Sequence, residues 1–357
     1  MPKASDQHLR WIDTVRVVAI VGVLLCHATE LLYEGADLGD MGSRMFIFLC
    51  HAVGRLGVPL FLMITGYLLL DRDYNEEVIK RFWTRKWLNL LACTGIWFVI
   101  YEIYLFAVGR GTTDPVKLVE ELTITRNIDV SHTWYMGMIL GIYILIPFAS
   151  IALKSVRPKL FLFPFVIYAV YEFGRNTVNT FIEFIHPEYQ MNTQFVLGFS
   201  GGVWGIYLVV GYFIKKGALK KLSSFILGIA AFTSLIMLFM FMMIQSFFGA
   251  ITDRYVWYDN VFVFIPAVLF FEIFTRLKIY EGIGYSVTRF IAKYTFPVFL
   301  THLIFMEVFK PYVMNIGCDK SVMTLILCLI GLGLGLLLSW LLARIPKAGK
   351  YITYVKD

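Results

Sequence analysis

Long apolar runs are the feature that most constrains this sequence. A helix needs about 20 apolar residues to cross the ~30 Å hydrocarbon layer of a bilayer, and ten runs approach that length. They cover residues 13–33, 46–70, 88–109, 133–153, 159–175, 196–215, 223–249, 257–277, 290–312 and 321–344. Only 16% of the residues are charged, whereas 59% are hydrophobic. The sequence therefore predicts an all-α integral membrane protein, a bundle of about ten transmembrane helices.

Basic residues predict which loops face the cytoplasm. Clusters of Lys and Arg lie in alternate connections, at residues 71–87, 154–159, 215–221, 276–293 and after 344. The opposite loops contain few cations and include acidic stretches near residues 34–40 and 120–121. By the positive-inside rule, both the N-terminus and the C-terminus are predicted to be cytoplasmic. The net charge of +7 then reflects topology, and we expect no nucleic-acid partner. No linker or repeat interrupts residues 1–357, which we interpret as one domain.

Ionisable residues in the first run form one polar face. Arg16 and His27 are eleven residues apart, so they share a helix face about 16 Å apart along its axis. Asp13 and Glu30 extend that face by one turn at each end. Charged groups at bilayer depth are costly, which makes each of them a candidate functional residue. His27 is a candidate general base that Glu30 would orient. The alternative is that His27 only forms a hydrogen bond to another helix.

Other polar residues fall at comparable depths or near the ends of their runs. His302 lies about as deep in the ninth run as His27 does in the first, and both are candidates for the chemistry. Further residues of the second and fourth runs are candidate contacts for a substrate: His51, Arg55, His132, Trp134 and Tyr135. For the aromatic pair, the alternative is simple anchoring at the membrane interface.

One predicted cytoplasmic loop concentrates four cations and two aromatic residues within residues 80–86, Lys-Arg-Phe-Trp-Thr-Arg-Lys. Guanidinium groups match phosphate oxygens and aromatic rings can stack on a base, so Arg81, Arg85 and Lys86 are candidate ligands for a phosphate-rich molecule. The alternative is contact with anionic membrane lipids. The spacing of Cys and His residues does not indicate a zinc site, and we expect no metal.

Four motifs occur in a recognisable order along the chain. They are Arg16 to His27 with ten residues between, residues 57–68 (Gly-Val-Pro-Leu-Phe-Leu-Met-Ile-Thr-Gly-Tyr-Leu), residues 132–135 (His-Thr-Trp-Tyr) and residues 294–302 (Tyr-Thr-Phe-Pro-Val-Phe-Leu-Thr-His). Together they resemble the acyltransferase 3 family of integral membrane acyltransferases, of the standalone O-acetyltransferase type. Two positions depart from the family pattern. Thr65 stands where serine is usual, and Asn89 stands where a third cation is common.

The resemblance implies a membrane O-acyltransferase in the inner (plasma) membrane of the cell. It would move an acyl group, most often acetyl, from cytoplasmic acetyl-CoA to a hydroxyl of a cell-envelope polysaccharide or lipid-linked glycan on the extracytoplasmic side. His27, oriented by Glu30, would act as a base or carry the acyl group, and His302 would be a second acid or base, or an oxyanion donor. The coenzyme contacts would be Arg16, Thr65, Tyr67, Arg81, Arg85 and Lys86. Membrane lipids are further partners, and a homo-oligomer is left open.

Two other classes of protein fit part of this pattern. Membrane domains similar to this family also occur fused to amino-acid racemases, and buried His, Arg and Glu would equally bind a small polar substrate. The alternative function is therefore a transporter of a substrate such as an amino acid. A structural partner in a polysaccharide-synthesis complex would leave the polar face of the first helix unexplained. The basic loop with its aromatic residues favours the enzyme.

Overall fold

The fold is helical throughout the part of the chain that the structure describes. This computed structural model describes residues 10–33, 40–155, 157, 159–185, 191, 202–248 and 256–355, and no strand occurs among them. The helices are α1 (Arg10–Tyr33), α2 (Met41–Gly54), α3 (Gly57–Leu69), α4 (Glu76–Arg81), α5 (Leu88–Ala107), α6 (Pro115–Leu122), α7 (Thr133–Ser155), α8 (Lys159–Ile185), α9 (Gly202–Lys215), α10 (Ser224–Phe248), α11 (Val261–Thr275), α12 (Ile283–Asn315), α13 (Lys320–Ala343) and α14 (Gly349–Thr353). A π-helical segment, Phe82–Trp87, joins α4 to α5.

In the described ranges, seven helical segments are long and apolar enough to cross a membrane. They are Arg10–Leu32, Met41–Leu69, Glu76–Ala107, Thr133–Ser155, Ser224–Ser246, Ile283–Asn315 and Lys320–Ala343. Each coincides with one of the predicted runs, so the chain has the pattern of a multi-pass membrane protein. The predicted count of ten is not confirmed, and the orientation of the termini stays a prediction.

The three remaining runs explain the difference in count. The predicted span 257–277 corresponds to the shorter apolar helix α11, and 196–215 corresponds to α9, with residues 196–201 outside the described part. The run 159–175 lies in α8, which has 27 residues but falls outside the seven. Polar residues such as Glu172 and Arg175, which form an ion pair at 3.1 Å, lower the hydropathy of α8 below that of a typical span.

Helix α1 occupies the centre of the helix packing. It contacts α2, α3, α11, α12 and α13, and its residues Val15, Ala19, Ile20 and Leu24 are completely buried. The second predicted helix, residues 46–70, is broken into α2 and α3, because Arg55 and Leu56 form a turn between them. This turn allows the buried side chain of Arg55 to approach α1 in the interior of the protein.

Glycines at the break allow α1 and α3 to pack closely. A Cβ atom on Gly57 would lie 2.6 Å from the backbone oxygen of Ala19, and one on Gly54 would lie 2.8 Å from the backbone nitrogen of Cys26. Such distances are closer than van der Waals contact, so neither position accepts a side chain without backbone movement. The glycines therefore bring the α2–α3 break against the middle of α1.

Ion pairs join the loops on the side that the sequence predicts to be cytoplasmic. Asp71 after α3 contacts Lys215 and Lys216 at the end of α9, at 3.4 and 2.5 Å. Burial alone would raise the pKa of Asp71, but the hydrogen bond from Lys216 and the positive charges of both lysines outweigh it and lower that pKa. The carboxylate therefore stays charged and holds α3 and α9 together at this surface.

Candidate active site

Three histidines from separate parts of the sequence lie together in the interior. His27 comes from α1, His302 from α12, and His132 from the loop that precedes α7. The ring centroids of His27 and His302 are 5.2 Å apart, those of His132 and His302 are 5.1 Å apart, and those of His27 and His132 are 6.4 Å apart. His132 and His302 are buried, whereas 13% of the His27 side chain is exposed. We call these residues the histidine cluster.

Each ring of the cluster has one nitrogen engaged by a fixed partner. His27 Nδ1 lies 2.8 Å from Glu30 Oε2, and His302 Nδ1 lies 2.6 Å from the carbonyl oxygen of Phe299. Both partners only accept hydrogen bonds, so each Nδ1 carries the proton. Tyr101 donates its hydroxyl proton to the carbonyl of Leu300 at 2.7 Å, which makes His132 Nε2 the donor to the Tyr101 oxygen at 2.9 Å.

The opposite nitrogens of the neutral rings therefore carry lone pairs. These are Nε2 of His27, Nδ1 of His132 and Nε2 of His302. The last two are buried and find no hydrogen-bond partner among the described residues. Unpaired buried polar atoms are rare and costly, so these two nitrogens are available to accept a hydrogen bond. A neutral His302 whose proton is bound to the Phe299 carbonyl cannot donate a hydrogen bond to an oxyanion, so this arrangement favours a base over an acid or an oxyanion donor.

A second layer of polar groups holds Glu30 in position. Arg55 Nη2 lies 3.6 Å from Glu30 Oε1, and Arg55 Nε donates to His51 Nε2 at 3.1 Å. His51 then donates from Nδ1 to the hydroxyl of Thr29 at 2.8 Å. The guanidinium of Arg55 also packs over the rings of Trp257 and Tyr258, each with its centroid at 5.2 Å. Rings and hydrogen bonds fix the position of this cation, which in turn fixes the carboxylate that contacts His27.

Three potential metal ligands, Cys26, Glu30 and His51, lie with their ligand atoms within 4.8 Å of one another. Arg55 already contacts both Glu30 and His51, so a positive charge occupies the position where a metal ion would have to bind. The proton on His51 Nδ1 is also incompatible with a metal bond from that nitrogen. We assign no metal to this group.

Three neighbouring cavities surround the histidine cluster. The first, the Arg16 cavity, has a volume of about 500 Å³. The second, the central chamber, has about 190 Å³, and the third, the Glu307 cavity, about 780 Å³. Tyr135 and Phe299 line both the Arg16 cavity and the central chamber, and their rings are 5.0 Å apart. His27 lines both the central chamber and the Glu307 cavity. The rings of Tyr135 and Phe299 thus lie between the Arg16 cavity and the chamber that His27 lines.

The Arg16 cavity is rich in cations. Its lining includes Arg16, Arg72, Lys86 and Lys293, together with the Thr65 side chain and apolar groups of α3 and α12. No aspartate or glutamate lines it among the described residues. The cavity therefore suits a ligand that combines negative charge with an apolar or amide-containing arm.

The Glu307 cavity contains both acidic and basic residues. Glu307 accepts hydrogen bonds from the hydroxyl of Tyr104 at 2.8 Å and from Arg110 at 2.9 Å, and Arg110 also binds Asp129 at 3.1 Å. Burial works against the charge of Arg110, but the carboxylates of Glu307 and Asp129 outweigh that effect and raise its pKa. The cavity thus presents fixed hydrogen-bonding groups of both signs, which suits a hydroxyl-rich ligand.

The structure brings many of the predicted site residues together. Arg16, Thr65 and Lys86 line the Arg16 cavity, and Arg55, His132 and Trp134 line the central chamber, while Tyr135 lines both. His51 lies in the second layer, behind Arg55. Three predicted coenzyme contacts lie elsewhere: Tyr67, Arg81 and Arg85.

Surface exposure and packing account for these three positions. Arg81 and Arg85 are exposed at the surface, whereas Lys86 is partly buried. The ring of Tyr67 packs against Trp11 and Phe271, with centroids 5.0 and 6.2 Å away.

Sequence reasoning missed several residues that the fold brings to the site. Arg72 and Lys293 line the Arg16 cavity. Arg72 follows a predicted span and Lys293 lies within one, and neither residue belongs to a motif. Tyr354, after α14, reaches the same cavity and donates its hydroxyl to the carbonyl of Lys86 at 3.2 Å. Tyr101 and Trp257 were indistinguishable in sequence from other membrane aromatic residues. The sequence offered a usable signal only for ionisable residues such as His27 and His302, because such residues are rare within membrane spans.

The helical fold defines a multi-pass membrane protein, and a buried cluster of histidines adjoins its interior cavities. A family model described as an acyltransferase domain, Acyl_transf_3, matches residues 9–344, nearly the whole chain. The chain therefore belongs to this family of membrane acyltransferases, as its motifs predicted. No curated protein and no solved structure matches the chain.

Proposed function

We propose that the protein transfers an acyl group, most often acetyl, from cytoplasmic acyl-CoA to a hydroxyl of a cell-envelope polysaccharide or glycolipid. One observation supports the proposal: the hydroxyl-compatible Glu307 cavity reaches His27, and the cationic Arg16 cavity adjoins the central chamber, which His27 also lines. A donor and an acceptor would then approach the same imidazole from different cavities. The proposed orientation has the Arg16 cavity open to the cytoplasm, in the inner membrane of the cell.

The donor would bind through its charged phosphates and its long pantetheine arm. Arg16, Arg72, Lys86 and Lys293 supply positive charge for the phosphates of the coenzyme. The pantetheine arm would extend toward Tyr135 and Phe299, so that the thioester carbonyl reaches the central chamber. Fixing the thioester beside the base supplies the effective concentration on which such reactions depend.

The acceptor would approach from the Glu307 cavity. Trp134, Trp257 and Tyr258 form an aromatic wall of the central chamber, with ring centroids 5.1 to 5.9 Å apart. Flat aromatic surfaces pack well against the apolar face of a sugar ring, while the carboxylates and Arg110 of the Glu307 cavity would bind its hydroxyls. This combination supports a glycan acceptor rather than a purely apolar alcohol.

His27 would act as the general base. Its Nε2 lone pair takes the proton from the acceptor hydroxyl as that oxygen attacks the thioester carbonyl carbon. The C–S bond then breaks, the acyl group stays on the acceptor oxygen, and the departing thiolate takes the proton back from His27. Glu30, at 2.8 Å from Nδ1, stabilises the positive charge that the ring carries between these steps.

The test is acyl transfer from radiolabelled acetyl-CoA to envelope glycans by purified protein in proteoliposomes. His27→Gln keeps a hydrogen bond to Glu30 but cannot accept a proton, so the rate should fall by about 10²- to 10⁴-fold while coenzyme binding persists. Transfer by His27→Gln at the unmutated rate would contradict the base role. Movement of a small polar substrate across the vesicle membrane, without any acyl transfer, would favour the transporter instead.

A further inference from the structure

A second cationic surface lies beside the Arg16 cavity. It is a groove of about 560 Å³ whose charged lining residues are Lys293 of α12, Lys350 of α14, and Arg344 and Lys347 of the turn between α13 and α14. We call it the Lys347 groove. Lys293 and Val355 line both the groove and the Arg16 cavity, so the two spaces are adjacent.

Within the described part of the chain, the four cations of the groove lack the carboxylate partners that neutralise other lysines of this protein. No aspartate or glutamate lines the groove among the described residues, and no ion pair engages its cations there. By contrast, Lys215 and Lys216 on the same predicted side both pair with Asp71. Four exposed charges of one sign repel one another unless an anion binds between them. The groove is therefore complementary to a ligand with more than one negative charge.

The backbone and a tryptophan hold these charges in place. Lys347 has φ +63°, a left-handed conformation that residues with a side chain rarely adopt. The guanidinium of Arg344 lies 3.4 Å from the ring centroid of Trp340. A guanidinium that stacks flat on a ring leaves its N–H edges available for an oxyanion. The turn thus fixes the backbone at Lys347 and the position of the Arg344 guanidinium.

We propose that the Lys347 groove binds the 3′-phosphate at the adenosine end of the acyl-CoA donor, an inference that rests on the proposed function. The groove adjoins the Arg16 cavity on the side of Lys293, so it suits the end of the coenzyme farthest from the thioester. A phosphomonoester carries close to two negative charges at neutral pH. A phosphodiester in a lipid headgroup carries one negative charge, so four cations match a phosphomonoester better. The predicted phosphate ligands Arg81 and Arg85 line neither space.

The experiment compares binding of CoA and 3′-dephospho-CoA to the purified full chain in nanodiscs of neutral phosphatidylcholine. The unmutated protein should prefer CoA, and Lys347→Ala/Lys350→Ala should reduce that preference by about tenfold while affinity for 3′-dephospho-CoA stays nearly unchanged. Lys347→Arg/Lys350→Arg should retain the preference. The matched control is Lys220→Ala/Lys221→Ala, which removes the same charge from exposed residues outside both spaces and should leave the preference intact.

Three results would overturn the assignment. If the alanine variant keeps the full preference for CoA, the groove does not bind the 3′-phosphate. If that variant keeps the preference but loses thermal stabilisation by phosphatidylglycerol nanodiscs, the groove binds a lipid headgroup instead. If the unmutated protein binds neither form of the coenzyme, the proposed function fails together with this inference, whereas the first two results leave the proposed function intact.

Discussion

Replacing Glu30 with glutamine isolates the electrostatic contribution to the proposed base. The two side chains have nearly the same shape, and the amide oxygen can still accept a hydrogen bond from His27 Nδ1. Only the negative charge is lost at the 2.8 Å contact. Because that charge stabilises His27 while it holds the substrate proton, the transition state should lose more than the ground state.

The size of the effect follows from this contact. A hydrogen bond to a charged group contributes about 1.5 to 3 kcal/mol, and about 1.4 kcal/mol corresponds to a tenfold change in rate. We therefore expect Glu30→Gln to lower kcat for acyl transfer by roughly 10- to 150-fold. Glu30 does not line the Arg16 cavity, so the affinity for acyl-CoA should change little.

The variant also removes the negative partner of Arg55, at 3.6 Å. Arg55 keeps its hydrogen bond to His51 and its contacts with Trp257 and Tyr258, so the protein should still fold, with a lower melting temperature. The assay therefore measures initial rates of acetyl transfer at saturating acceptor. Melting curves of the same protein preparations show whether the variant is folded.

The matched control is Glu307→Gln, which neutralises another carboxylate of the Glu307 cavity that has no contact with the histidine cluster. It should alter the affinity for the acceptor more than kcat. A folded Glu30→Gln protein with a kcat within twofold of the unmutated value would refute the argument. So would an equal loss of kcat in the control.

Three further predictions concern packing, topology and the second histidine. Gly57→Ala should lower the free energy of unfolding by about 1 to 3 kcal/mol, and with it the melting temperature, because its Cβ would lie 2.6 Å from a backbone oxygen of α1. Gly95→Ala is the control: open space surrounds its position, so it should not lower the melting temperature. In intact cells, an impermeant thiol reagent should label Cys318 and should not label a cysteine introduced at Lys216. The other four cysteines are buried, so labelling of the natural protein would report on Cys318. The opposite pattern would reverse the predicted orientation. His302→Ala should slow acyl transfer by about tenfold, the value of one hydrogen bond to a reacting hydroxyl, without weakening acyl-CoA binding, and an unchanged rate would limit His302 to packing.

Local patterns in the sequence were sufficient for several features. Seven of the ten predicted runs coincide with helices that are long and apolar enough to cross a membrane, because the length of such a segment depends on the thickness of the bilayer. The spacing of Arg16 and His27 predicted a shared face because helical periodicity is a local property. The contact between His27 and Glu30 followed for the same reason, and the observed distance is 2.8 Å. The motifs also identified the family correctly.

Other features depended on how distant helices pack. His132 and His302 join His27 only because the loop before α7 and helix α12 both approach α1, and no local spacing encodes that meeting. The place of the break at Arg55 depends on packing, because Gly54 and Gly57 contact α1 there. The Lys347 groove likewise unites α12 with the turn after α13. The sequence by itself determined which residues lie within helices and on which face of them. Tertiary packing decided which of those faces meet, since burial and pairing of polar groups depend on neighbours far away in the chain.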